Sequence, residues 1–197
     1  MRNNKNRVHL LAESAIMVAL ASVLSMIKLW QSPYGGSVTL LSMAPIILLS
    51  LRHGVKVGLL AGLAYSLVQL LQGLGNLAWI PTPLGIILCA LLDYILPFTL
   101  LGLGGIFSGK LGKNPVLCGG AGAFLVSVIR YVCHVVAGAV IWYELDLQWY
   151  AYDPTHIVNL YGPWMFSIIY SAIYMVPEII ATTFGTSILH KALSKIQ

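Results

Sequence analysis

Apolar residues in this chain fall into six blocks, separated by short stretches that carry the charges and most of the prolines. At about 1.5 Å rise per residue, a bilayer crossing takes about 20 residues. The blocks therefore predict membrane helices over residues 10–30, 38–51, 57–74, 84–107, 116–142 and 164–189. The second is short for a full crossing. Residues 31–37, with Pro33, Gly35 and Gly36, break the chain after the first block, and residues 75–83, with Trp79, Pro81 and Pro83, break it after the third. A long aromatic loop is expected over 143–163. The expected fold is all-α: one integral membrane bundle of six transmembrane helices, with residues 1–197 as a single domain and no linker.

Composition agrees with this pattern. Hydrophobic residues make up 58% of the chain and charged residues 9%, against about 25% charged in soluble domains. The charges also orient the bundle. Arg2, Lys5, Arg7, Arg52, Lys56, Lys110, Lys113, Lys191 and Lys195 all belong to one side, and the opposite loops hold no Lys or Arg unless Lys28 reaches that interface. The positive-inside rule then places both termini of this multi-pass membrane protein in the cytoplasm. The first block is read as a span rather than a signal peptide, since it is long and lacks a small-residue cleavage site. The net charge of +5 is spread over loops instead of a stripe, so nucleic-acid binding is not expected. Cys89, Cys118 and Cys133 show no paired or zinc-binding spacing, and no metal or cofactor is implied.

Two motifs mislead. Residues 104–110 fit G-x-x-x-x-G-K, but Leu111 follows where a P-loop needs Ser or Thr, and a membrane span precedes them. Residues 73–78 resemble a dinucleotide fingerprint without a βαβ unit around it. Neither supplies a nucleotide site.

Ionisable side chains inside spans are costly and are functional candidates by default. Glu13, Asp93, Arg130, His134 and Glu178 stand out. Arg130, His134, Gly138 and Trp142 recur every four residues, so one face of the fifth span presents a cation, an imidazole, a gap and an indole. Such a stripe suits a flat polar ring, with Asp93 opposite. The competing reading is a structural Asp93–Arg130 ion pair locking two helices. Glu13 and Glu178 are expected to be structural and nearer an interface. Gly54, Gly58 and Gly62, and separately Ala15 and Ala19, form small-xxx-small faces that serve helix packing or, on the exterior, docking of another membrane protein.

The order and spacing of several segments resemble the thiamine-specific substrate-binding (S) components of bacterial energy-coupling factor (ECF) vitamin transporters. The carrying segments are residues 15–20, 34–37, 42–45, 51–54, 92–94, 101–105, Arg130-Tyr131 with His134, Gly138 and Trp142, and 174–178. The resemblance implies a non-enzymatic subunit that captures thiamine or a close relative outside the cell. It would work with a transmembrane coupling protein and two cytoplasmic ATPases in the membrane lipid, and Ala15 and Ala19 would face the coupling protein.

By the same resemblance the substrate contacts are Asp93 and Tyr94 in the fourth span and Arg130, His134, Gly138 and Trp142 in the fifth. Tyr65 comes from the third. Phe166, Tyr170 and Ser171 come from the sixth, Phe166 and Ser171 standing where the family has Tyr and Asn. Tyr34 or Trp30 would be the aromatic of a lid formed by the loop after the first span. Arg130 would bridge to Asp93 or donate to a ring nitrogen. Two other classes of function remain open: an ATP-independent, proton-coupled carrier or membrane enzyme using Asp93 and His134, and a structural subunit with no ligand.

Overall fold

The computed structural model describes residues 2–32, 35–111 and 114–195. Five helices are long and apolar enough to cross a membrane. They are α1 (Arg2–Met26), α3 (Val55–Gln72), α4 (Pro83–Phe107), α5 (Pro115–Trp149) and α6 (Pro163–Leu193). Between α1 and α3 lies the ten-residue α2 (Ala44–His53). Three of the long helices open with proline at the first turn, where its missing N–H costs nothing. Thr82 and Asn114 cap two of them, accepting from the amides of Gly85 and Val116 at 3.2 and 3.0 Å.

Polarity is inverted relative to a soluble bundle. Leu60, Leu71, Phe184 and Ile188 point outward and are about two-thirds exposed, while Ser50, Ser66, Ser127, Ser167, Thr182 and Thr186 are fully buried. An exterior of bare hydrocarbon is stable only against lipid, and small hydroxyl residues inside let helices approach closely. Gly58 and Gly62 serve that approach. A Cβ on Gly58 would strike Ser50 and the Gly102 carbonyl, and one on Gly62 would strike the carbonyls of Thr99 and Phe98. Gly54 terminates α2 with φ +88, and a Cβ there would meet nothing within 4 Å. By contrast Ala15 and Ala19 face outward from α1.

Two expectations about spans change. Residues 38–51 do not form one crossing helix. Ser37–Thr39 is strand β2, paired antiparallel with β1 (Lys28–Gln31), so the bundle carries one small hairpin. Leu41 then turns at φ +54, and α2 spans only about 15 Å. Residues Ala44 through Leu51 are all buried. Non-helical backbone at membrane depth is tolerated where protein covers it or it lines a cavity, and here it does the latter. Consequently α1 ends at Met26, and Trp30 lies on β1 rather than in a span.

The second change concerns the loop expected at 143–163. Residues Tyr143–Trp149 continue α5 as helix, and a further turn forms at Ile157–Leu160. Beyond α5 the Tyr150 and His156 rings stack at 4.0 Å. The Thr155 amide and hydroxyl donate to Asp153 and hold its carboxyl below the usual range.

Candidate small-molecule binding site

Asp93 stands on α4 where the helix widens into a π-wound stretch, Ala90–Ile95. Its Oδ1 lies 2.8 Å from His134 Nδ1 on α5, and its Oδ2 accepts from Trp142 Nε1 at 2.8 Å. The buried Cys89 thiol donates weakly to Oδ2 at 3.4 Å. Trp142 ends a second π-wound stretch, Gly138–Trp142. Single π turns inside α-helices change which face the following side chains occupy and recur at functional sites.

The imidazole tautomer follows from its partners. Arg130 Nε is 3.2 Å from His134 Nε2, and a guanidinium can only donate. Nε2 therefore accepts, and the proton sits on Nδ1, directed at Asp93. His134 is thus a neutral link between Arg130 and Asp93. In place of the direct Asp93–Arg130 pair weighed as the competing reading stands this three-residue chain.

Arg130 reaches a second acid as well. Its Nη1 is 3.9 Å from Glu178 Oε1 on α6 and donates to Met43 Sδ at 3.1 Å, while the guanidinium sits 4.6 Å over the Phe98 ring. Glu178 is 1% exposed. It accepts from the Thr39 amide and hydroxyl, each at 2.8 Å, and Ser42 joins the Thr39 hydroxyl at 2.7 Å. Glu178 is thus the last link, before Thr39 of β2, in a polar chain that starts at Trp142. Glu13 keeps the structural part it was given, bonding Arg52 at 2.6 Å and His53 at 3.0 Å where α1 meets the end of α2.

This chain forms part of the wall of a cavity of about 240 Å³. Of the residues singled out by sequence, Asp93, Tyr94, Arg130, His134, Trp142 and Tyr170 line it. Others do not. Gly138 abuts Ser167 on α6, so its missing side chain permits helix contact instead of opening a gap for a ring. Tyr65 is buried beneath Phe98, edge-on at 5.2 Å. Phe166 is buried between Tyr143 and Tyr170, with centroids at 5.6 and 5.5 Å. Ser171 is fully buried off the cavity wall. Trp30, on the hairpin, is 44% exposed and off the cavity wall, and Tyr34 lies outside the described residues, as do Pro33 and Lys113.

Sequence reasoning missed a set of polar groups from α1, α3, the helical turn Leu74–Leu77 and the hairpin: Ser25, Lys28, Ser37, Thr39, Gln69, Gln72 and Asn76. Gln69 donates to Ser25 at 2.8 Å, Ser25 to Gln72 at 3.1 Å, and Asn76 to the Tyr94 hydroxyl at 3.0 Å. Gln69 and Gln72 lie three apart at the end of the apolar α3, a spacing that puts both amides on one face, and Asn76 follows beyond Gly73 on the next turn.

A polytopic helical membrane protein with a polar, aromatic-walled cavity among its helices belongs to the class that holds a small molecule within the bundle. Comparison with known proteins narrows the class. The model of the thiamine transporter protein family matches residues 11–197. The thiamine transporter ThiT of Bacillus subtilis is 36% identical over 191 residues, covering 91% of this chain and 88% of that protein. A solved structure of ThiT from Listeria monocytogenes superposes with a TM-score of 0.71 at 28% identity, covering 96% of this chain and 97% of that one. The chain belongs to the thiamine transporter family: it is a multi-pass bacterial membrane protein of thiamine uptake, a transport protein rather than an enzyme.

Proposed function

We propose that the protein captures thiamine, or a close relative, in the cavity between α4, α5, α6 and the hairpin. The observation that carries this reading is the Asp93 carboxylate, fixed at the cavity wall by His134 and Trp142. The charge balance supports it. Asp93 and Glu178 accept hydrogen bonds at both oxygens, the pattern of ionised carboxylates. Arg130 is a cation, and His134 is neutral by its tautomer. Arg130 is shared between the part-buried Asp93, through His134, and the buried Glu178, so part of the Asp93 charge at the wall is left uncompensated, while Lys28 is exposed at the cavity's edge. A fixed cation such as the thiazolium of thiamine offsets that charge. Trp142, Tyr170, Tyr174 and Phe98 offer ring faces and edges to a flat heterocycle. Gln69, Gln72 and Asn76 offer amides to its polar substituents.

The remaining parts of the proposal concern delivery. The basic ends at Arg52, Lys56, Lys110 and Lys191 face the cytoplasm; the hairpin and α2 together return the chain to that side, where Glu13 of α1 meets Arg52 and His53, so both termini lie there and the cavity opens outward. The outward alanines of α1, Ala15 and Ala19, meet a transmembrane coupling protein driven by two ATPases. The chain described here carries no nucleotide motif, consistent with energy supplied by partners. Phe166 and Ser171 sit off the cavity wall, so their departure from the resemblance leaves the wall unchanged. Mass spectrometry of small molecules released from protein purified out of thiamine-fed cells tests the ligand: thiamine is expected, and an unrelated solute would overturn it. Uptake in cells tests delivery. It is expected to stop when the ATPases are deleted, and uptake that persists without them and collapses with the proton gradient would favour a proton-coupled carrier.

A further inference from the structure

We propose that Glu178 is a positioning residue: it latches the β1–β2 hairpin shut over the bound ligand, and Arg130 couples that latch to occupancy of the cavity. This rests on the reading of the cavity as the thiamine site.

An ionised acid at 1% exposure in a membrane helix is expensive. Glu178 does not line the cavity, so contact with ligand does not explain it. Both of its oxygens are committed to one residue 139 positions away, the Thr39 amide at Oε2 and the Thr39 hydroxyl at Oε1. Thr39 closes β2 and is paired with Lys28 at the start of β1, and both residues line the cavity. The carboxylate therefore grips the base of the hairpin.

A two-stranded hairpin is marginally stable by itself, so its position depends on what ties it down. Gly35 and Gly36, which lead into β2, lie against two cavity-lining tyrosines of α6. A Cβ on Gly35, at φ +101, would come 2.8 Å from the Tyr170 hydroxyl, and one on Gly36, at φ +78, would run into the Tyr174 ring. These are van der Waals contacts that release easily. The bonds to Glu178 are the charge-assisted ones, and such bonds are about twice as strong as neutral ones.

Arg130 connects the latch to the ligand. One guanidinium serves both acids: Glu178 directly at 3.9 Å, and Asp93 through the neutral His134. A cation bound at Asp93 takes over part of that carboxylate's compensation. Arg130 is then left to Glu178, which holds the Glu178 charge in place against Thr39. Closed hairpin and bound cation thus favour each other, and by linkage the effect runs both ways.

The test is stopped-flow tryptophan fluorescence with thiamine, using Trp142 at the cavity and Trp30 on the hairpin as reporters. Wild type is compared with Glu178→Gln, Thr39→Val and the double variant. Thr39→Val leaves the Glu178–Arg130 pair in place, which guards against a Glu178→Gln chain that does not fold. Glu178→Gln is expected to speed dissociation about tenfold, within the usual span of such couplings, with association changed less than about threefold, since affinity differences reside mainly in dissociation. Thr39→Val is expected to shift dissociation the same way by a smaller factor, and the double variant to be no faster than Glu178→Gln. Dissociation within about twofold of wild type in both single variants would overturn the latch. So would effects that multiply in the double variant, or a lowered melting temperature of the unliganded protein with unchanged rates. In each of these cases wild type still binds thiamine. Absence of binding by wild type itself would instead defeat the capture reading, and the latch with it.

Discussion

Asp93 and Trp142 stand on different helices, each within a π-wound stretch, and the indole Nε1 donates to Asp93 Oδ2 at 2.8 Å. The aromatic that would stack on a ligand ring is therefore held by the acid that would offset the ligand's charge. Trp142→Phe keeps the ring and loses the donor, whereas Trp142→Ala loses both. Calorimetric titration with thiamine is expected to show the larger loss for Trp142→Ala, by at least about tenfold in affinity. Equal losses would mean that the indole acts only through its N–H.

His134 must donate at one nitrogen and accept at the other to join Asp93 and Arg130. Removing it leaves two buried charged groups short of a partner, at a cost of about 1–3 kcal/mol. His134→Gln can donate and accept from the same position, so its thermal unfolding in detergent is expected to lie between wild type and His134→Ala. A Gln variant as unstable as Ala would argue against the link.

Gly138 touches Ser167 across the α5–α6 contact. Gly138→Ala forces the helices apart, with an overpacking cost of about 1–3 kcal/mol. The double variant Gly138→Ala/Ser167→Gly should recover much of the lost melting temperature. If it recovers none and thiamine affinity falls instead, Gly138 belongs to the cavity after all.

Ala15 and Ala19 face outward, far along α1 from the hairpin end. Ala15→Trp and Ala19→Trp are expected to leave thiamine binding by the isolated protein unchanged and to abolish uptake by cells carrying the ATPase module. Undiminished uptake would remove this face from partner contact.

Much of the fold was legible because hydropathy reports burial in lipid directly, and five of six apolar blocks are membrane-length helices. The sixth misled for a physical reason. Residues 38–51 are apolar because protein surrounds them, and periodicity cannot separate a buried turn plus a short helix from a crossing. The four-residue spacing from Arg130 to Trp142 found the acid-binding face of α5, since Arg130, His134 and Trp142 all reach the cavity. It failed at Gly138, because steps of four residues drift by about 40° each on a 3.6-residue helix, which turns Gly138 toward α6, and the wider π-wound stretch that follows brings Trp142 back to the cavity. Glu178 was visible as a charge in a span. Its partner Thr39 was not, because nothing local signals a contact across 139 residues.

The central claim is that Asp93 faces a cavity built for a cationic heterocycle. Isothermal titration of the purified protein with thiamine, beside Asp93→Asn, tests it most directly. Wild type is expected to bind one equivalent, and Asp93→Asn to bind at least about tenfold more weakly, a loss of about 1.4 kcal/mol. An Asp93→Asn affinity equal to wild type, or no heat from wild type with thiamine or with its separate pyrimidine and thiazole halves, would contradict it.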